Sequence, residues 1–401
     1  DSDTPIYMEQ PEGFHKGDKD WVCLLLKSLY GLKQAPRIWY KLLHSFLVSL
    51  GFERCHKEYC IYVLHKGGST MFIAVYVDDL TIVCKDKVLI SKIKQDLSER
   101  FKMTDLGEIH HLLQIKITRD RKNKLTFLNQ TKYINSLVKL YGLENAGPVE
   151  SPQAVTIELK ADKNSKVMNK YPLAALVGAF NFLARCSRPD VSNGVRDLAR
   201  FTSCYNETHW KAALRILKYL KHTSDYSLTL DGNNCKLEYH LYTDASFGCS
   251  STNRKSILGY CLIMANAAIT HKSSQATQIH LSTSEAETAA SEDGIKESEW
   301  LFGLFKALKI VQDKPVILYC DNNASIAHMK NPCKHYANKH LEIKQLYARQ
   351  KYEEGRVNVL YCPTDEMVAD IFTKALPVDK FKYFRSKLGI LPGPTRNLHE
   401  K

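Results

Sequence analysis

The chain lacks any apolar run near the ~20 residues that a membrane-spanning helix requires. No signal peptide is visible in its opening residues, Asp1-Ser2-Asp3-Thr4-Pro5-Ile6, and none is expected. No initiator Met stands at its start, so a fragment or a processed piece is expected. Twelve cysteines are present, yet none forms a Cys-x-x-Cys pair. That spacing argues neither for a zinc knuckle nor for a disulfide framework, and it predicts reduced thiols in cytosol or nucleus. Repeats and low-complexity tracts are missing as well. What remains is globular in composition: 401 residues, 44% hydrophobic and 25% charged, enough for two or three domains with real cores.

The net charge of +13 favours a polyanionic partner, because affinity for nucleic acid draws heavily on phosphate neutralisation. The most informative segment is acidic, however. Met71-Phe72-Ile73-Ala74-Val75-Tyr76-Val77 precedes Asp78-Asp79, and Leu80-Thr81-Ile82-Val83-Cys84 follows. Two β-prone runs around two turn residues predict a hairpin that lifts both carboxylates to its tip. Adjacent like charges repel, and a hard divalent cation with oxygen ligands relieves that cost. Such a hairpin suits in-line phosphoryl transfer. Asp-Asp is also ordinary turn material, so the pair alone does not decide the matter.

Helical spacing recurs at Trp39, Leu42, Leu43, Phe46, Leu47 and Leu50, with Gly51 where a helix end takes a left-handed residue. Further helices are expected over Leu89–Phe101 and Gln130–Tyr141. Periodicity fades from about Gly147 to Lys170, which predicts a boundary there. Residues 171–220 read as helical. In the last of these helices Trp210, Leu214, Leu217 and Leu220 form an apolar stripe. Beside it lie Lys211, Arg215, Lys218 and His222, either a solvated polar face or a surface that grips a nucleic-acid backbone.

From Leu237 the pattern alternates. Strands are expected at Tyr239–Thr243, Ile257–Met264, Ala268–Lys272, Val316–Cys320 and Val357–Tyr361, and helices at Ser284–Leu308, Ala324–Lys330, His340–Glu354 and Glu366–Ala375. This order predicts an α/β domain. Four acids fall at telling places in it. Asp244 and Asp321 end strands, Glu287 lies early on a long helix, and Asp370 lies on a late one. On one sheet edge they would bind two divalent ions and activate water against a phosphodiester. Each has a plainer role open to it: turn residues for Asp244 and Asp321, a helix-dipole partner for Asp370, and for Glu287 a capping box with Ser284. Ser282 with Glu285 can form that box instead and release Glu287.

Taken together, Tyr76-Val77-Asp78-Asp79 resembles the signature of reverse transcriptases, and Asp244, Glu287, Asp321 and Asp370 resemble the catalytic set of ribonuclease H. In this order the chain resembles the Pol polyprotein of copia-type LTR retrotransposons. Ile6 to Phe14, Ser28 to Trp39, Lys102 to Gly107, Arg188 to Val191, Leu217 to Lys221, Lys339-His340 and Ala369 to Lys374 carry the likeness further. The resemblance implies a multidomain α+β and α/β chain. A partial right-hand polymerase (1–146) would be followed by a linker and helical connection (147–235). A ribonuclease H-like mixed five-stranded sheet flanked by helices (236–376) and a tail (377–401) would complete it.

The resemblance also implies function. The chain would be an RNA-directed DNA polymerase with ribonuclease H, using Mg²⁺ or Mn²⁺ held by Asp78, Asp79, Asp244, Glu287, Asp321 and Asp370. Its partners would be an RNA template, a DNA primer, RNA–DNA hybrid and deoxynucleoside triphosphates, with Gln34 touching nucleotide or template. Its place would be the cytoplasm, in a virus-like particle, or the nucleus. The family's first polymerase motif, with a further metal-binding Asp, belongs just upstream of Ile6, where only five residues stand. Two of three polymerase carboxylates are therefore expected, and no primer extension from these residues alone. His340 is a distant candidate for the mobile His of cellular ribonucleases H. The alternative is a decayed or co-opted remnant that binds nucleic acid without turnover.

Overall fold

The computed structural model describes residues 5–18, 20–162, 170–233, 238–249, 253–310, 314–331 and 347–394. It divides into two compact units, residues up to 107 with 303–310, and residues 108–302 with those from 311 onward. No helix among the described residues is long and apolar enough to cross a membrane.

In the first unit, β1 (Tyr7–Glu9) pairs with β2 (Val22–Leu24). The apolar stripe after Gln34 forms α1 (Ala35–Ser49), begun by a proline whose fixed φ suits a first turn. It ends at Gly51, where φ is 92°. Strands β3 (Glu53–Arg54), β4 (Ile61–Lys66), β5 (Ser69–Tyr76) and β6 (Asp79–Cys84) form an antiparallel sheet in that order. Helix α2 (Lys87–Arg100) starts two residues before the expected Leu89. Asp86 sets that start by accepting hydrogen bonds from the Val88 and Leu89 amides at 2.9 and 3.1 Å. Leu43 and Leu47 of α1, Tyr62, Leu64, Met71 and Ile73 of the sheet, and Leu89, Ile93 and Leu97 of α2 share one core.

The second unit holds two sheets and a helical layer. Strands β7 (His111–Leu112), β8 (Ile115–Asp120), β9 (Leu125–Asn129), β10 (Tyr226–Asp231) and β16 (Ile390–Pro392) form an antiparallel sheet in the order β16-β10-β9-β8-β7. The helices are α3 (Thr131–Leu140), α4 (Leu173–Cys186), α5 (Ser192–Ala199) and α6 (Glu207–His222). Trp210, Leu217 and Leu220 of α6 are buried as their spacing predicts. A buried charge pair ties this layer together. Arg188 donates two hydrogen bonds to Asp190 at 3.0 and 2.8 Å and one to the Thr223 carbonyl at 3.0 Å, and the Tyr219 hydroxyl donates to Asp190.

The second sheet is mixed. Strands β11 (His240–Ser246), β12 (Ile257–Met264), β13 (Ala267–Gln275), β14 (Val316–Cys320) and β15 (Val357–Tyr361) lie in the order β13-β12-β11-β14-β15. The first three are antiparallel, and β14 and β15 run parallel to β11. Helices α7 (Thr283–Ala307) and α8 (Asn323–Lys330) follow the expected order. Where a tail is expected from residue 377, the structure has helix α9 (Val378–Lys387) and strand β16, held in the core by buried Phe381, Phe384, Leu388 and Ile390. Two further expectations need correction. Strand β11 runs on to Ser246, so Asp244 lies inside it, opposite Gly259, and not at its end. The helix expected over Glu366–Ala375 is a 3-10 turn, Val368–Phe372. All five of its residues are buried, and the Thr373 side chain bonds back to the Asp370 carbonyl, competing with α-helical continuation. The helix expected over His340–Glu354 lies partly outside the described residues, and His340 wholly so; residues 347–353 are helical.

Candidate functional site

In the first unit the acidic hairpin forms, one residue out of the expected register. Tyr76 pairs with Asp79, so Val77 and Asp78 make the two-residue turn and Asp79 opens β6. Val77 has φ 52°, a left-handed conformation that a β-branched residue rarely takes. The indole N–H of Trp39 on α1 donates to the Val77 carbonyl at 2.8 Å and holds the turn to the helix. Asp78 and Asp79 are both exposed. Among the described residues no third His, Cys, Asp or Glu joins them in a close group. Gln34 stands at the N-cap of α1 without a side-chain capping bond.

In the second unit the four predicted acids meet at one end of β11 and β14. Oxygens of Asp244, Asp321 and Asp370 lie within 4.8 Å of one another. Close packing makes this possible. A Cβ at Gly259 would lie 2.7 Å from Thr373 Cγ2 and 3.0 Å from Phe372 Cβ, so only glycine lets the Asp370 turn settle beside Asp244. A Cβ at Gly294 would meet Leu241 Cδ1 at 2.9 Å, so α7 lies hard against β11. Glu287, near the start of α7, is free to serve the site. The Ser282 hydroxyl accepts the Glu285 amide at 3.1 Å, and Glu285 accepts the Leu281 amide at 2.6 Å. Glu287 Oε1 accepts the Ala245 amide at 3.2 Å, while its buried Oε2 has no hydrogen-bond partner.

Charge at this centre is partly neutralised by residues the sequence patterns did not single out. Lys374 Nζ lies 3.2 Å from Asp244 and 2.9 Å from Asp370, and Lys380 Nζ lies 3.3 Å from Asp370. The Thr373 hydroxyl donates to Asp244. Burial works against the charge on Lys374, but Asp244 and Asp370 outweigh it and hold its pKa above the ordinary range. Burial raises the Asp244 carboxyl; Lys374 opposes the shift without cancelling it, and Asp370 adds to it. Burial also raises Glu287, reinforced by Asp244 and Asp321. Closely set carboxylate oxygens, with Glu287 Oε2 unpartnered, are what a hard divalent ion takes as ligands, and the donor set fits one. In sequence, Asp370 and Lys374 read as an ordinary i,i+4 helix pair, so spacing carries no signal for Lys374.

The candidate basic stripe on α6 is less open than its spacing suggests. Lys211 is exposed and pairs with Glu207 at 3.5 Å. Arg215 is half-buried and donates to the Ser151 hydroxyl at 3.2 Å, and Lys218 is half-buried. Neighbouring Lys221 binds the carbonyls of Glu144 and Ala146 at 2.5 and 2.8 Å.

Residues 1–155 match the family described as reverse transcriptase (RNA-dependent DNA polymerase). The chain is 36% identical to the retrovirus-related Pol polyprotein from transposon TNT 1-94 of Nicotiana tabacum, over 97% of this chain and 30% of that protein. It is 29% identical to the putative transposon Ty5-1 protein of Saccharomyces cerevisiae, over 74% of this chain and 96% of that one. Among solved structures, the foamy viral protease-reverse transcriptase in complex with RNA/DNA hybrid is 15% identical, with a TM-score of 0.46, covering 88% of this chain and 40% of that one. The chain thus spans less than a third of the length of the tobacco polyprotein. With an acidic hairpin in one unit and four carboxylates gathered at a mixed sheet in the other, the chain is similar over most of its length to retrotransposon Pol polyproteins of plants and yeast, and its first 155 residues match the reverse transcriptase family.

Proposed function

We propose that the second unit hydrolyses the RNA strand of an RNA–DNA hybrid, and that Asp78 and Asp79 belong to the metal-holding hairpin of the polymerase. One observation carries the first part: Asp244, Asp321 and Asp370 bring their oxygens within 4.8 Å from three separate elements. Glu287 completes the set with its unpartnered oxygen. These four residues would hold Mg²⁺ or Mn²⁺, which when bound would polarise the scissile phosphate and activate water. The chain's own contribution is placement. The Ala245 amide aims Glu287, Gly259 admits the Asp370 turn, and Thr373 orients Asp244.

The ribonuclease H-like domain is assigned to about 236–376, the helical connection to 147–235 and the polymerase part to 1–146. RNA template, DNA primer and deoxynucleoside triphosphates are the partners assigned to the polymerase part, with Gln34 near nucleotide or template. Lys211, Arg215 and Lys218 are assigned weaker backbone contacts. The place of action is the cytoplasm or nucleus. Cleavage of a labelled hybrid with and without EDTA tests the hydrolytic reading. The chain should cut the RNA strand in Mg²⁺, stop in EDTA, and lose nearly all rate as Asp321→Asn. Equal cutting by Asp321→Asn removes the assignment.

A further inference from the structure

We propose that Glu287, Cys320 and Asp321 form a binding site for a thiophilic divalent ion such as Zn²⁺, whose occupation switches off hydrolysis by claiming two of its four carboxylates. The regulatory half rests on the ribonuclease H reading; the metal site does not. One donor atom from each of these three residues lies within 4.8 Å of the others. Asp321 belongs to both this set and the all-oxygen set of Asp244, Asp321 and Asp370. The two sets differ in chemistry. Oxygen ligands alone suit Mg²⁺ or Mn²⁺, whereas a sulfur among them favours zinc and its softer neighbours. Zinc with one sulfur, two carboxylate oxygens and a solvent molecule has its ordinary four ligands.

Two further observations favour an ion on this side of the cluster. Glu287 is only 3% exposed, and its Oε2 has no hydrogen-bond partner. A carboxylate oxygen so buried requires a proton or a cation. Lys374 and Lys380 pair with Asp244 and Asp370, and among the described residues no ion pair reaches Glu287 or Asp321. The neutralising ammoniums therefore serve the oxygen-only side and leave the sulfur side open. Cys320, the last residue of β14, is fully buried, so Asp321, half-exposed, is the way in. On binding, the Cys320 proton leaves to solvent and the sulfur binds as thiolate.

The test uses the full chain in two measurements. Cadmium is titrated while the ultraviolet thiolate-to-cadmium band is followed, and the spectrum of Cys320→Ala is subtracted from that of the parent to remove the exposed thiols of Cys60 and Cys249. In parallel, Zn²⁺ is titrated into Mg²⁺-driven hybrid cleavage, each chain normalised to its own rate without zinc. The parent should show a difference band that Glu287→Gln weakens. Cys320→Ala should need roughly tenfold more zinc for half inhibition, since a lost ligand costs at least as much as a lost partner around it. Absence of the difference band, or equal zinc inhibition of parent and Cys320→Ala, overturns the proposal. A parent that never cuts hybrid refutes the hydrolytic reading and with it the regulatory half, while the cadmium band still decides the metal site.

Discussion

Val77 holds a left-handed φ of 52° with a side chain 55% exposed, so it bears a conformational cost with little burial to offset it. For a branched residue that cost is about 1–2 kcal/mol. Glycine removes it but gives up about 0.5–1 kcal/mol of unfolded-state entropy. Val77→Gly should therefore raise the thermal midpoint slightly, by up to about 1 kcal/mol in stability. A lower midpoint would show that the turn is not strained. Lys374 poses the opposite case. It is the cation shared by two buried carboxylates, Asp244 and Asp370, and Lys374→Met leaves Asp244 without an ammonium, with only the Thr373 hydroxyl, and Asp370 with Lys380 alone. In metal-free buffer the loss should be about 2 kcal/mol, discounted from the usual 3–5 because the ammonium is partly exposed. Mg²⁺ should restore most of it. Chemical denaturation in EDTA and in Mg²⁺ separates the two conditions, and an equal loss in both would show that Lys374 and the ion do not share a role.

At the scale of elements, the 3-10 turn Val368–Phe372 is positioned by an absence of side chain on β12. Gly259→Ala sets a methyl 2.7 Å from Thr373 Cγ2, an overlap that cannot stand, and 3.0 Å from Phe372 Cβ, a tight contact. The turn must shift, and a displacement near 1 Å of Asp370 should cost about 100-fold in hybrid cleavage. Overpacking should cost about 1–3 kcal/mol as well, leaving the chain folded by circular dichroism. Full activity would mean that Asp370 tolerates displacement. The same elements mark what the sequence could reveal. Strands β12, β14 and β15 have the expected bounds, because β-branched and apolar runs there end at turn residues. Asp78 and Asp79 are adjacent in sequence, so their joint exposure followed from the hairpin alone, but its register did not. Pairing shifted the turn to Val77-Asp78, a choice tied to the Trp39 indole, 38 residues away. Lys374 was illegible for a related reason. Its i,i+4 spacing describes a helix, while its contact with Asp244 depends on a tertiary approach across 130 residues.

Over the whole molecule a net charge of +13 coexists with a buried acidic centre, so its stability should respond to pH and metal together. Burial and its acidic neighbours hold the Glu287 carboxyl above its ordinary 4.5, and Asp244 is raised above 3.8. A carboxyl raised in the folded state binds more protons there than in the unfolded chain. Its stabilisation is full below the ordinary value and is lost as pH rises through the folded one. Metal-free chain should therefore lose stability, relative to Glu287→Gln, as pH climbs from the ordinary carboxylate range through neutrality. Lys374 does not reverse this, because its raised pKa leaves it charged throughout that range. Mg²⁺ binds the ionised carboxylates, so it should narrow the gap most at the alkaline end, where its competitor, the proton, is scarce. Thermal midpoints of parent and Glu287→Gln across pH, with EDTA or Mg²⁺, measure this. Parallel curves with no widening gap in EDTA would mean that Glu287 ionises freely in the fold, and that a divalent ion has no excess charge there to neutralise.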